Sequence, residues 1–185
     1  MKRNTVVMSI VAVISAGLGV YSANQQAQSL AQSVSSTQKA SSDPVQQLFS
    51  QQMPDANGKQ QALAQWRGKP LVLNFWASWC APCVKEMPEL SKLQKDFAAR
   101  GVQVIGIGID SPSAISEFNK KMQISYPLLV SGMEGSELAR ALGNQTGALP
   151  FTVVIGADGK VKKTYLGILK FEQFYMELSA FFPPK

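Results

Sequence analysis

The run Leu71-Val72-Leu73-Asn74-Phe75-Trp76 constrains this chain more than any other stretch. It is nearly all apolar and too short for a helix, so it reads as a strand covered on both faces. Three residues later comes Cys80-Ala81-Pro82-Cys83, and Val84 to Arg100 then has the spacing of a helix. The two cysteines are the only ones in the chain. A Cys-X-X-Cys at a strand-to-helix junction has the layout of a thiol–disulfide redox centre. The unpaired N–H groups and positive dipole end of a helix start stabilise a thiolate. That lowers the thiol pKa below its free value of about 8.5. Pro82 suits the first helical turn, where its missing N–H costs nothing. A purely structural bridge is the weaker reading, because closing so small a loop removes little entropy from the unfolded chain.

Composition closes other routes. The 185 residues include no histidine, so a zinc site of the usual Cys/His kind lacks ligands. A c-type haem attachment needs histidine after the second cysteine, and Val84 stands there. No metal or other cofactor is expected. The net charge is +6, but the lysines are scattered, with Lys120-Lys121 and Lys162-Lys163 the longest basic runs. No basic stripe with interleaved aromatics marks a nucleic-acid surface. Hydrophobic residues make up 45% of the chain, enough for a real core.

Three regions follow in order. Residues 1–23 open with Lys2 and Arg3, after which Thr5 to Ala23 carries no charge. Those 19 residues would span ~28 Å as a helix, close to a bilayer core. The segment is a signal peptide or an N-terminal membrane anchor. No clean Ala-X-Ala cleavage site follows it. Either way the basic start stays in the cytoplasm and the rest lies outside. Residues 24–43, rich in Gln, Ser and Ala, read as a flexible linker. The folded domain occupies residues 44–185.

Within that domain, Asn57-Gly58 marks a tight hairpin turn before the central strand. Pro88 inside the first long helix removes a hydrogen bond and predicts a kink. Val102 to Ile109 reads as a second buried strand, and Ser111-Pro112 as the cap and first residue of a helix with Ile115, Phe118 and Met122 inside. Tyr126 to Val130 is a short strand and Ser136 to Leu142 a short helix. Phe151 to Ile155 and Val161 to Leu166 form a hairpin with a two-residue turn at Asp158-Gly159. Lys160, Lys162 and Lys163 suit an edge strand. The last helix, Phe171 to Phe182, packs Phe171, Phe174, Tyr175, Leu178 and Phe182 on the sheet. The sum is an α/β domain with a mixed central β-sheet and helices on both faces.

The stretch Asn74-Phe75-Trp76-Ala77-Ser78-Trp79-Cys80-Ala81-Pro82-Cys83 resembles the active site of thioredoxin-like proteins. Val84-Lys85-Glu86-Met87-Pro88, the N-terminal β-hairpin and a central β/α insertion are similar to the extracytoplasmic TlpA/ResA-like subgroup. Gly147-Ala148-Leu149-Pro150-Phe151-Thr152 resembles the family's cis-proline segment. The resemblance covers about Pro44 to the C-terminus and implies a thioredoxin-like fold. It implies Cys80 as the exposed attacking thiol, Cys83 as the buried resolving thiol and a redox-active disulfide between them. It implies that Pro150 is cis, with the Leu149-Pro150 backbone pairing to an extended substrate peptide. Trp79, beside the cysteine, belongs to the substrate-facing surface. The buried strand aspartate of cytosolic thioredoxins is replaced by Asn74, which cannot titrate. Glu86 shares a helix face with Cys83 at i+3, and the subgroup resemblance implies that it moves protons to and from Cys83. Glu89 reads as a surface residue.

The implied activity is an extracytoplasmic thiol–disulfide oxidoreductase that reduces protein disulfides, with cytochrome c apoprotein among the substrates. Its place is the periplasmic side of the bacterial inner membrane, and its reductant a membrane thiol-electron transporter, because that compartment is oxidising. The alternatives are a thiol oxidase, a peroxiredoxin-type peroxidase and a non-catalytic binding or chaperone module. Ala77 stands where a peroxidase of that type has threonine, and the intact cysteine pair speaks against the module. A reporter active only after export, fused after Ser42, is expected to work. Activity of a cytoplasmic reporter alone at that point would overturn the orientation.

Overall fold

The computed structural model describes residues 43–184; the N-terminal segment and the linker up to Ser42 lie outside the described residues. Five strands form the main sheet in the order β5-β4-β3-β6-β7. They are β3 (Leu71–Trp76), β4 (Gln103–Gly108), β5 (Leu128–Val130), β6 (Phe151–Ile155) and β7 (Val161–Leu166). Strands β3, β4 and β5 run parallel, and β6 and β7 are antiparallel additions. The two parallel connections are helical, through α2 (Ala81–Phe97) and α3 (Pro112–Met122). Helices α4 (Glu134–Ala141) and α5 (Phe171–Phe181) complete the layers. A separate two-stranded hairpin, β1 (Gln52–Pro54) with β2 (Gln60–Ala62), precedes the sheet.

Every residue of β3 is buried, as its composition requires. Its alternation divides the core in two. Val72 and Trp76 face a cluster with Cys83, Met87, Leu90, Ile115, Phe174 and Leu178, supplied by α2, α3 and α5. Leu71, Leu73 and Phe75 face the other layer, with Val45, Leu48, Leu138 and Phe151. Each fully buried aromatic or leucine there is worth roughly 1.5–3 kcal/mol of transfer free energy.

Helix α1 (Pro44–Ser50) was not anticipated in the sequence. Its signals are ordinary ones: Asp43 accepts the Val45 N–H at 2.9 Å, and Pro44 occupies the first turn. Asn57-Gly58 lies in a tight hairpin turn, as expected, whereas the turn at Asp158-Gly159 is longer than the two residues expected. Asp55 N–H donates to the Lys59 carbonyl at 2.8 Å, and Gly156 N–H to that of Lys160 at 2.9 Å, so each loop holds three residues. Only the glycines take positive φ, Gly58 at 84° and Gly159 at 74°. That geometry is a turn closed by a left-handed glycine, in place of a two-residue turn. Met122, expected inside α3, is 40% exposed because the helix ends there and turns outward at Gln123. Helix α2 continues as one element through Pro88, whose ring lies on the exposed side. The lysine-bearing strand β7 is the edge strand, as read from sequence. No helix among the described residues is long and apolar enough to cross a membrane.

Gly106, in the middle of β4, lies beside Asn74 of β3. A Cβ there would fall 2.6 Å from Leu128 Cδ2, 3.1 Å from Trp76 Nε1 and 3.2 Å from the Tyr126 ring. All three neighbours are buried, so making room for a side chain would disturb their packing. Gly106→Val is therefore expected to cost about 1–3 kcal/mol in urea unfolding, despite the better strand propensity of valine. A gain in stability would show that propensity outweighs packing at this position.

Candidate active site

The polypeptide leaves β3 at Trp76, whose carbonyl accepts the Ile109 N–H at 2.8 Å. The next turn is tied to the end of β4. Ser78 donates to Asp110 Oδ2 from both its backbone N–H, at 3.1 Å, and its hydroxyl, at 2.5 Å. Partial burial alone would raise the Asp110 carboxyl. The hydrogen bonds from the Ser78 hydroxyl and the Ser111 and Ser78 N–H groups outweigh it and hold the group below the usual carboxylate range.

Cys80 occupies the N-cap position of α2, and its Sγ accepts the Cys83 N–H at 3.3 Å. The cysteines form a disulfide with Cα atoms 5.3 Å apart. Cys80 is 6% exposed and Cys83 is fully buried, so Cys80 is the outer sulfur but is recessed where an exposed one was expected, because its Sγ turns inward to the Cys83 sulfur and N–H. A thiolate at Cys80 would receive the same N–H bond together with the positive end of the α2 dipole. Trp79, at 70% exposed, projects from the turn just before it.

The Leu149-Pro150 bond is cis. Pro150 is buried and Leu149 half-buried. Phe151 pairs with Phe75, which places Pro150 at the same end of the sheet as the cysteine turn. The Pro150 carbonyl accepts the Gly167 N–H at 2.8 Å, so the β7–α5 connection flanks it. Buried Asn144 shapes the approach by donating to the Ala148 carbonyl at 2.9 Å and accepting from Gly147 N–H at 3.0 Å.

Glu86 lies one helical turn beyond Cys83, on the same inward face, and is 2% exposed. Asn74 Nδ2 donates to its Oε1 at 2.7 Å, and the Leu169 N–H to its Oε2 at 3.1 Å. Burial pushes the carboxyl pKa up, and these two donors offset that only in part. Tyr126 is also buried, and its hydroxyl is pushed up by burial first and by the Glu86 charge second. Glu89 is exposed. The sequence did not single out Asp110, Ser78, Asn144 or Thr152. Asp110-Ser111-Pro112 announces a helix start, and nothing local tells which backbone that aspartate will hold.

A disulfide on the first turn of a helix, at the end of a central strand in a mixed five-stranded sheet, defines the class of thioredoxin-like thiol–disulfide oxidoreductases. Sequence and structure comparisons agree. The Redoxin profile matches residues 26–177, and the chain belongs to this family, in its TlpA/ResA-like branch. It is 30% identical over 132 residues to the thiol-disulfide oxidoreductase ResA of Geobacillus thermodenitrificans, covering 71% of this chain and 74% of that one. A ResA from Bacillus thuringiensis subsp. konkukian is 32% identical over 130 residues, covering 70% and 73%. Among solved structures, a thioredoxin-family thiol:disulfide interchange protein from Chlorobium tepidum is similar at a TM-score of 0.61 and 28% identity, covering 71% of this chain and 92% of that one. The chain is a thiol–disulfide oxidoreductase, and protein thiols are its substrate class.

The raised Glu86 carboxyl makes a prediction about stability. An acid whose folded-state pKa is raised contributes stability that is fully present below its unfolded value, 4.5, and lost as pH rises through the folded value. Glu86→Gln removes that loss. In the oxidised proteins, urea unfolding should show the variant gaining stability relative to wild type as pH rises above 4.5. A difference independent of pH would mean that Glu86 titrates alike in the folded and unfolded chains.

Proposed function

We propose that the protein reduces protein disulfides outside the cytoplasmic membrane through Cys80 and Cys83, with Glu86 as the proton acceptor. The observation that carries this reading is the Cys80–Cys83 disulfide at the start of α2, with a buried carboxylate one turn further along the inward face.

In the forward step the Cys80 thiolate attacks one sulfur of a substrate disulfide. An S–S bond forms between Cys80 and the substrate, and the other substrate sulfur leaves as a thiolate. The Cys83 proton then passes to Glu86. The Cys83 thiolate attacks Cys80 Sγ, closing the Cys80–Cys83 bond and releasing the second substrate thiolate. Two electrons have moved to the substrate. Burial disfavours the Cys83 thiolate, so a base within reach is useful, directly or through one water. Burial raises the Glu86 carboxyl above the ordinary carboxylate range, which makes it a stronger base for that proton than an exposed glutamate.

Trp79, Leu149 and cis-Pro150 form the docking surface for an extended substrate segment in this reading. The two electrons are restored by a membrane thiol-electron transporter. Residues 1–23 serve as a signal peptide or membrane anchor, 24–43 as the linker and 44–185 as the catalytic domain. The uncharged run after Lys2 and Arg3 supports export. Cytochrome c apoprotein cysteines are included among the substrates, on the likeness of Val84 to Pro88 to the TlpA/ResA-like subgroup.

Insulin reduction by the purified protein tests the roles. Cys80→Ser is expected to abolish turnover, and Cys83→Ala to accumulate mixed disulfides. Alkylation of the reduced protein at neutral pH should strike Cys80 first. Faster labelling of Cys83, or mixed disulfides trapped through Cys83 in a Cys80→Ala variant, would reverse the assignment.

A further inference from the structure

Asn74 is fully buried in the middle of β3. Its Nδ2 donates twice, to Glu86 Oε1 at 2.7 Å and to Thr152 Oγ1 at 3.1 Å. Its own Oδ1 is buried with no hydrogen-bond partner among the described residues. The amide is therefore oriented by its two N–H bonds alone. Thr152, also fully buried, is the residue directly opposite Asn74 in the β3–β6 register. That register supplies a hydroxyl where one N–H can be accepted, which aims the other at the carboxylate. Turning the amide over would set Oδ1 against Glu86 and lose a charge-assisted bond. Leaving a buried amide oxygen unpaired costs free energy, and the fold accepts that cost to serve Glu86.

We propose that Asn74 and Thr152 are positioning residues for the thiol–disulfide reaction. Thr152 fixes the Asn74 amide, and Asn74 holds Glu86 in the one orientation from which it takes the Cys83 proton. This rests on the reading of Glu86 as proton acceptor. The groups facing Glu86 come from every neighbouring element. Cys83 shares its helix face, Asn74 donates from β3 with Thr152 of β6 bonded behind it, the Leu169 N–H donates from the segment before α5, and Tyr126 lies in the segment before β5 within reach of the Glu86 charge. Asn74 and Leu169 donate to different carboxylate oxygens, so losing Asn74 frees one oxygen while the other stays held.

The test is a carbon-13 glutamate NMR titration of the oxidised full chain, with the Glu86 signal identified by its loss in Glu86→Gln. Asn74→Leu removes a donor that favours the ionised form. It is expected to move the Glu86 titration up by about one pH unit, the order of one charge-assisted hydrogen bond. Thr152→Val keeps the side-chain shape and should move it the same way by less. Thr152→Ser should restore the wild-type value. The pH–rate profile of insulin reduction should move in step, and Asn74→Leu should add nothing in a Glu86→Gln background. A Glu86 titration unmoved by both Asn74→Leu and Thr152→Val, in protein with native near-ultraviolet dichroism, overturns the proposal while leaving the role of Glu86 intact. A Glu86→Gln variant with the wild-type pH–rate profile instead overturns the proton-acceptor reading, and the positioning role falls with it.

Discussion

Strand β3 is hydrogen-bonded along both edges and covered on both faces, and the site depends on that enclosure. A strand with one wet face would leave Asn74 in water, and Glu86 beside it would titrate as an ordinary carboxyl. Here the parallel pairing to β4 and the antiparallel pairing to β6 fix which residues flank Asn74. They are Gly106, whose missing side chain leaves room for Trp76 and Tyr126, and Thr152, whose hydroxyl accepts the amide. The same strand sets the cysteines, because only Ala77, Ser78 and Trp79 separate its last residue, Trp76, from the α2 N-cap Cys80.

Two carboxyl groups flank the cysteine motif in opposite environments. Asp110 is partly exposed and collects three hydrogen bonds from Ser78 and Ser111, so it stays ionised. Glu86 is nearly sealed from water with two donors, and burial wins. Environments that push two acids apart divide the labour between them. Asp110 acts as a fixed anchor for the turn carrying Trp79 and Cys80. Glu86 is the acid whose titration burial moves above the ordinary carboxylate range. Leu169 adds a mechanical link, since its N–H reaches Glu86 while Gly167, two residues earlier, holds the cis-Pro150 carbonyl.

Much of the architecture was legible because it rests on local chemistry. A six-residue run that is nearly all apolar is too short for a helix and fits an interior strand. Ser111-Pro112 starts a helix wherever it stands, and the lysines of β7 belong on an edge. The misreadings arose where backbone geometry decides. Asp158-Gly159 fits a two-residue turn as well as the three-residue loop found, and the choice lies in the register of the flanking strands. Helix α1 has a proper cap but only seven residues, too few to show a periodic face; it is held by burying Val45, Leu48 and Phe49.

By itself the sequence determined the redox chemistry, since two cysteines three apart before a helix, with no histidine in the chain, leave few other uses for them. It also placed Glu86 on the face of Cys83, because helical spacing is a local rule. Only the tertiary structure decided what that carboxylate meets. Thr152 lies 78 residues from Asn74 in the chain, and Leu169 lies 83 from Glu86. Contacts of that range follow from strand register and helix docking, which no local pattern encodes. The desolvation that moves a carboxyl pKa is set by everything packed around it, so it exists only once the whole sheet has closed over the site.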